Sequence, residues 1–281
     1  MAEEEILDVS LLLQYANLCA AVYSQDIGAD KYIDRSVVEA NLAAIMSVPI
    51  SCVTLASCVS TDFAVIRVGG TPIAGKAKTA IVVFRGTEIN AGDILSDVDW
   101  RKVQAAWGVG WSCARGFYRA FACASGRMLA LVEGADNVVV IGHSLGGALA
   151  QLAALYLADS CGKNVHDVVT FESPRVFDAK GAKHYDEKLG AVTTRVMDCL
   201  DPVCGFPPML MGYRGVAGSA YLPYEGGRNV LYPSIPTSVR LSRIASAFMS
   251  KWKMPGFQTG SEHKMSSVIA KLTAVATAAK P

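Results

Sequence analysis

Val138-Val139-Val140-Ile141-Gly142-His143-Ser144-Leu145-Gly146-Gly147-Ala148-Leu149-Ala150 decides the fold. A β-branched apolar run reads as a strand buried on both faces, and the Ala/Leu-rich stretch after it reads as a helix. Between them stands a Gly-x-Ser-x-Gly with no room for a loop. A serine forced into so tight a strand-to-helix turn brings neighbouring backbone close, which explains glycine at 142 and 146. The turn holds the Ser144 hydroxyl clear of the sheet. The following helix sets free N–H groups and a positive dipole end beside it, where an oxyanion would form. A serine that merely caps the helix is the alternative reading.

Outward from this stretch, further β-rich runs occur at Phe63–Val68, Thr79–Phe84, Val168–Phe171 and Thr193–Met197. Helical periodicity marks Phe117–Val132 and Leu145–Ala158. Strands alternating with helices predict an α/β fold with a central, mostly parallel sheet flanked by helices. Leu11, Leu12, Tyr15, Leu18, Cys19 and Val22 predict an amphipathic helix laid on the body. Two more helical stretches are expected near Ser238–Lys253 and Ser261–Ala279. The segment from Thr87 to Arg115 is irregular and contains Trp100, Trp107 and Trp111, the pattern of a long functional loop. No internal repeat or low-complexity linker divides the chain, so a single domain over residues 1–281 is expected.

The chain has 281 residues, of which 52% are hydrophobic and 18% charged, and this excludes disorder as its main theme. Lys and Arg total 26 against 25 Asp and Glu, a net charge of +1, so no bulk electrostatic attraction to nucleic acid is expected. Two charge-poor stretches, Ala40–Thr61 and Val138–Ala158, have membrane-spanning length. Pro49 and scattered polar residues interrupt the first, and the serine motif interrupts the second, so no transmembrane segment is expected. The opening Met1-Ala2-Glu3-Glu4-Glu5 does not read as a signal peptide. A cytoplasmic chain, leaderless secretion and a processed mature chain all fit. Eight cysteines lack the spacing of a zinc site. Buried thiols are favoured slightly over disulfides, because a core of this size needs no staples.

A serine nucleophile needs a base, and the base an orienting acid. In this kind of sheet the order along the chain is serine, acid, histidine. Of the four histidines, His143 adjoins the serine and is expected to pack or hydrogen-bond beneath the turn. His166 and His184 sit in polar surroundings that suggest surface. His263, in a turn before the last helix, is the expected base. Asp198 and Asp201 both follow the Thr193–Met197 strand, where catalytic groups of open α/β sheets collect. Asp201 is preferred because Pro202 stiffens its loop, and Asp198 is the second choice. The oxyanion donors expected are the backbone N–H of Leu145 and of Thr87, the latter after the Thr79–Phe84 strand. Arg85 is expected to pair with a carboxylate.

Val83-Phe84-Arg85-Gly86-Thr87, Asp97-Val98-Asp99-Trp100, Gly116-Phe117-Tyr118-Arg119-Ala120, the Ser144 motif, Thr170-Phe171-Glu172-Ser173-Pro174-Arg175-Val176 and Asp201-Pro202-Val203 with Pro207-Pro208 occur in that order. Together they resemble the class 3, fungal-type (Rhizomucor-like) lipase family over about residues 79–210. The resemblance implies an α/β-hydrolase fold and hydrolysis of acylglycerol esters through an acyl-enzyme. It maps the family's serine, acid and histidine onto Ser144, Asp201 and His263, and its oxyanion residue onto Thr87. It also implies a lid at about residues 88–101. Three departures stand out: Glu172 where the family has glycine, Cys113-Ala114-Arg115 before Gly116, and a lid sparse in aromatics.

A serine carboxylester hydrolase is therefore expected, a triacylglycerol lipase first among them, acting on an acylglycerol or other lipid ester and touching the lipid interface transiently. Phospholipase A1 and short-chain carboxylesterase activity are alternatives on the same fold. A catalytically silent lipid-binding module is the alternative of another class. No cofactor and no metal are implied. Ser238–Met254, with Leu241, Ile244, Phe248 and Trp252 opposite Arg240, Arg243, Lys251 and Lys253, is either a core-facing surface helix or a second lipid contact.

Overall fold

A computed structural model describes residues 8–23, 44–45, 50–58, 61–69, 78–86, 98–198, 201, 203–223, 228–234 and 263–279. In chain order the elements are α1 (Val9–Tyr23), β1 (Ile50–Cys58), β2 (Thr61–Gly69), β3 (Lys78–Phe84), β4 (Lys102–Val103), β5 (Cys113–Ala114), α2 (Arg115–Leu131) and β6 (Asn137–His143). They continue with α3 (Leu145–Asp159), β7 (Asn164–Phe171), β8 (Phe177–Asp178), α4 (Ala179–Leu189), β9 (Thr193–Met197), β10 (Tyr213–Arg214), β11 (Ser219–Tyr221) and α5 (Met265–Ala278).

β6 is buried at every position, as its apolar run requires, and it lies at the centre of a seven-stranded sheet ordered β1-β2-β3-β6-β7-β9-β11. From β3 to β11 the strands run parallel, while β1, β2 and β3 pair antiparallel at one edge. The strand alternation sorts two cores. Val138 and Val140, with Val82 and Phe84 of β3, face the layer that holds Phe117, Phe121 and Met128 of α2 and the apolar side of α3. Val139 and Ile141, with Ile81 and Val83, face Leu18 and Val22 of α1 and Val268 and Leu272 of α5. The first and last helices described thus cover one face of the sheet, and the middle ones cover the other.

The expected α/β-hydrolase architecture is the one observed. Six strands were not legible in the sequence. β1 lies within the stretch weighed as a membrane span, and its polar residues Ser51, Thr54 and Ser57 fall three apart, so no two-residue alternation marks it as a strand. Among the described residues no helix is long and apolar enough to cross a membrane. A second sheet, ordered β10-β8-β5-β4, is built from two-residue strands too short for any periodicity to register. β11 is a further short strand at the sheet edge.

Of the expected lid, residues 88–97 lie outside the described residues, as does the 238–254 segment. The loop's far end is firmly tied to α2. Asp99 accepts from Arg101 at 2.9 Å and from Arg115 Nε at 2.5 Å, and its backbone carbonyl accepts from Gly116 N at 2.9 Å. Arg115, one of the three departures from the family pattern, therefore anchors the chain where the long loop rejoins the body.

The expectation for the cysteines needs correction. Cys19, Cys113, Cys161 and Cys204 are free, but Cys123 is disulfide-bonded. Core size was the argument for thiols, and Cys123 lies on the exposed side of α2, where core size has no bearing. Cys19 and Cys113 are buried thiols as expected, and burial pushes Cys113 up to about 12.

Candidate active site

Ser144 stands between β6 and α3 with φ 56° and ψ −126°, a conformation that L-residues avoid. Hydrogen bonds on both sides hold it there. Its N–H donates to Phe171 O at the end of β7 at 2.9 Å, and its own carbonyl accepts from Gly147 N at 2.9 Å. A Cβ at Gly142 would collide with the backbone of Gly146, and one at Gly146 would collide with the end of β3 at Phe84 and Arg85. Gly147 would meet the Ser173 side chain, so a third glycine is required beyond the two that the motif reading singled out.

α5 carries Val268 and Leu272 into the core, and this packing fixes the turn before it. That turn delivers His263 across a separation of 119 residues to Ser144. His263 Nε2 lies 2.6 Å from Ser144 Oγ, and Nδ1 lies 2.8 Å from Asp201 Oδ2. Asp201 is itself oriented: Oδ1 accepts from Val203 N at 2.9 Å and Oδ2 from Cys204 Sγ at 3.4 Å. Asp198, the second choice of acid, is instead bonded to Lys271 of α5. Of the two carboxylates after β9, it is Asp201 whose oxygen meets the His263 ring. With Nδ1–H given to the carboxylate, Nε2 is left to accept the serine proton, which is the arrangement of a nucleophilic triad.

Leu145 is the first residue of α3, where backbone N–H groups have no acceptor within the helix. Thr87, the other expected donor, lies outside the described residues. The strand that leads to it runs directly beside the turn, since Gly146 abuts Phe84 and Arg85. Arg85 pairs with Asp62 at 3.4 Å, as expected.

His143 does hydrogen-bond beneath the turn. Its Nε2 lies 3.0 Å from the backbone oxygen of His263, and because a carbonyl only accepts, Nε2 carries the proton. Burial, then the neighbouring His263, pushes His143 down to about 3, so the ring is neutral. His184 pairs with Asp159 at 2.9 Å and His166 lies 3.5 Å from Asp167. Both lie on the periphery, away from the three-residue chain.

Glu172 is the residue whose place at the site the sequence reading missed. It has no exposed surface, and Oε2 lies 3.5 Å from both His143 Nε2 and His263 Nδ1. The only signal was that a charged residue stood where the resembled family has glycine. His143, Glu172 and His263 offer ligand atoms within 4.8 Å of one another. The ring nitrogens concerned are committed to the hydrogen bonds just described, so the cluster reads as part of the histidine's support.

The parallel sheet, the strand-serine-helix turn and the Asp-His-Ser chain define an α/β-hydrolase fold. Residues 81–211 match the family model for lipase (class 3), so the resemblance to that family holds over the stretch that carries the motifs. A secreted mono- and diacylglycerol lipase from Fusarium solani is 31% identical over 156 residues, 53% of this chain and 45% of that protein. Phospholipase A1-II 4 of Oryza sativa subsp. japonica is 39% identical over 85 residues, 28% of this chain and 21% of that one. The chain thus spans less than half the length of these curated relatives. Among solved structures, a triacylglycerol lipase with a serine-protease triad superposes with a TM-score of 0.62 at 22% identity, covering 78% of this chain and 81% of that one. The native Rhizomucor miehei lipase propeptide complex gives 0.58 at 22% identity, covering 80% of this chain and 71% of that one. These likenesses carry the fold.

Proposed function

We propose that this chain is a lipase that cleaves acylglycerol esters by way of an acyl-enzyme. The observation that carries the reading is the hydrogen-bonded series Asp201, His263, Ser144, at 2.8 Å and 2.6 Å, on a turn that strains its serine. Ser144 Oγ attacks the ester carbonyl while His263 Nε2 takes its proton, and the same proton passes to the departing alcohol. Asp201 fixes the ring and balances the imidazolium charge. The N–H groups of Leu145 and Thr87 receive the oxyanion. Water then repeats the sequence on the acyl-enzyme and releases the fatty acid.

Acylglycerols are the proposed substrate because the class 3 match is joined by fungal relatives that are mono- and diacylglycerol lipases. Contact with a lipid surface is supported by the turn after Pro208, where Met209, Leu210 and Met211 are 53%, 101% and 48% exposed. The rice phospholipase favours a second reading, phospholipase A1 activity. The single-domain reading is supported by α1 and α5, which pack on the same face of one sheet.

Fatty-acid release from monoolein, diolein, triolein emulsion and phosphatidylcholine vesicles separates these readings. Release from the glycerides that disappears in Ser144→Ala, by a factor of about 10⁴ or more, is expected. Faster release from phosphatidylcholine than from any glyceride would favour the phospholipase. Undiminished hydrolysis by Ser144→Ala would end the serine mechanism.

A further inference from the structure

Glu172 directly follows β7, with φ 51°. Its backbone is pinned there, because Glu172 N donates to Val196 O at 2.8 Å while the preceding carbonyl accepts from Ser144 N. Glycine adopts this conformation freely, and a glutamate does so at a cost. The side chain adds a second cost, since a carboxylate with no exposed surface has lost its water. Strain and desolvation thus fall on the same residue, one strand away from the reactive serine, and its carboxylate points at the edge of the His263 ring that does not face Ser144.

We propose that Glu172 is a positioning residue for His263, a second carboxylate that acts beside Asp201 on the Nδ1 edge of the ring. The inference rests on the lipase reading above. The distances divide the labour. Asp201 at 2.8 Å makes the hydrogen bond, while Glu172 Oε2 at 3.5 Å is too far for one and acts through charge. The same oxygen lies 3.5 Å from His143 Nε2, whose proton is held by the His263 backbone carbonyl. Glu172 therefore steadies the histidine twice, at its ring and through His143 at its backbone. The described titratable groups around this edge are Asp201, Glu172 and His143, with Cys204 beside Asp201 and Arg195 of β9 beyond it. His143 stays neutral, and burial first, then Asp201 and Glu172, holds the Cys204 thiol well up in its protonated form. Arg195 points to the Val216 carbonyl, to which it donates at 3.1 Å. The imidazolium that forms as Ser144 attacks lies 2.8 Å from Asp201 Oδ2 and 3.5 Å from Glu172 Oε2, and a second carboxylate at that range favours it.

The test is the pH dependence of p-nitrophenyl butyrate hydrolysis by wild type, Glu172→Gln, Glu172→Gly and Ser144→Ala. Glu172→Gln keeps the shape and removes the charge. It is expected to lower kcat about tenfold with KM changed less than about twofold, and to move the acid limb of kcat/KM down by about one pH unit. Glu172→Gly is expected to lower kcat at least as much while melting no lower than wild type, since glycine suits φ 51°, and this separates a lost function from a lost fold. An active wild type matched by Glu172→Gln in kcat and acid limb, or a change confined to KM, overturns the proposal and leaves the lipase reading intact. A wild type with no Ser144-dependent turnover overturns both.

Discussion

Two neighbouring strand ends use the same uncommon backbone for different reasons. Ser144 directly follows β6 at φ 56° and Glu172 directly follows β7 at φ 51°, and these are the two non-glycine residues of positive φ among those described. At β6 the strain comes with Gly142, Gly146 and Gly147, each where a side chain would collide: with the backbone of Gly146, with the end of β3 and with Ser173. At β7 nothing local announces it, and the conformation is imposed by bonds to the neighbouring strands. Strain that neighbouring glycines make room for is written as a motif. Strain without such glycines leaves no mark of that kind in the sequence.

His143 bridges the two ends, and its titration provides the largest expected effect. The ring is neutral in the fold down to about pH 3, whereas in the unfolded chain it takes a proton near pH 6.5. Its contribution is fully present above pH 6.5 and is lost as pH falls from there towards 3, because the unfolded state binds the extra proton. The loss amounts to roughly 4 kcal/mol by about pH 3. Urea unfolding of His143→Gln against wild type between about pH 7 and 4 is expected to show a flatter dependence in the variant. Equal slopes would mean that His143 is already charged in the fold.

The β6 end should be intolerant of any added carbon. Gly146→Ala would drive a methyl into the backbone at the end of β3, and a loss of about 3 kcal/mol or more in urea unfolding is expected, together with loss of ester hydrolysis. The β7 end should respond in the opposite sense. Glu172→Gly is expected to raise stability by about 1 kcal/mol in the same titration while lowering kcat. A destabilised Glu172→Gly would show that the carboxylate supports the fold, and the contrast between the two ends would then collapse.

The fold was legible because its central evidence is local. The apolar run of β6, the serine turn and the helical face of α3 follow one another within a few residues. The candidate site was legible as far as chain order and residue type could reach. Ser144 announces itself, His263 was selected by chain order and its turn before the last helix, and Asp201 by its Pro-stiffened loop after a strand. The choice between Asp201 and Asp198 depended on which of them α5 would claim, and Lys271 on that helix takes Asp198. Glu172 was legible only as an oddity. Its approach to His263 requires β7, β9 and the turn before α5 to be packed together, and no pattern in one stretch encodes that. The second sheet escaped because strands of two residues carry no period.

Whether Ser144 is an activated nucleophile can be read by mass spectrometry of the chain after incubation with a long-chain alkyl organophosphonate. One phosphonyl group per chain is expected, located on Ser144, with labelling abolished in Ser144→Ala and in His263→Ala. An unlabelled wild type, or labelling that persists in Ser144→Ala, would contradict it.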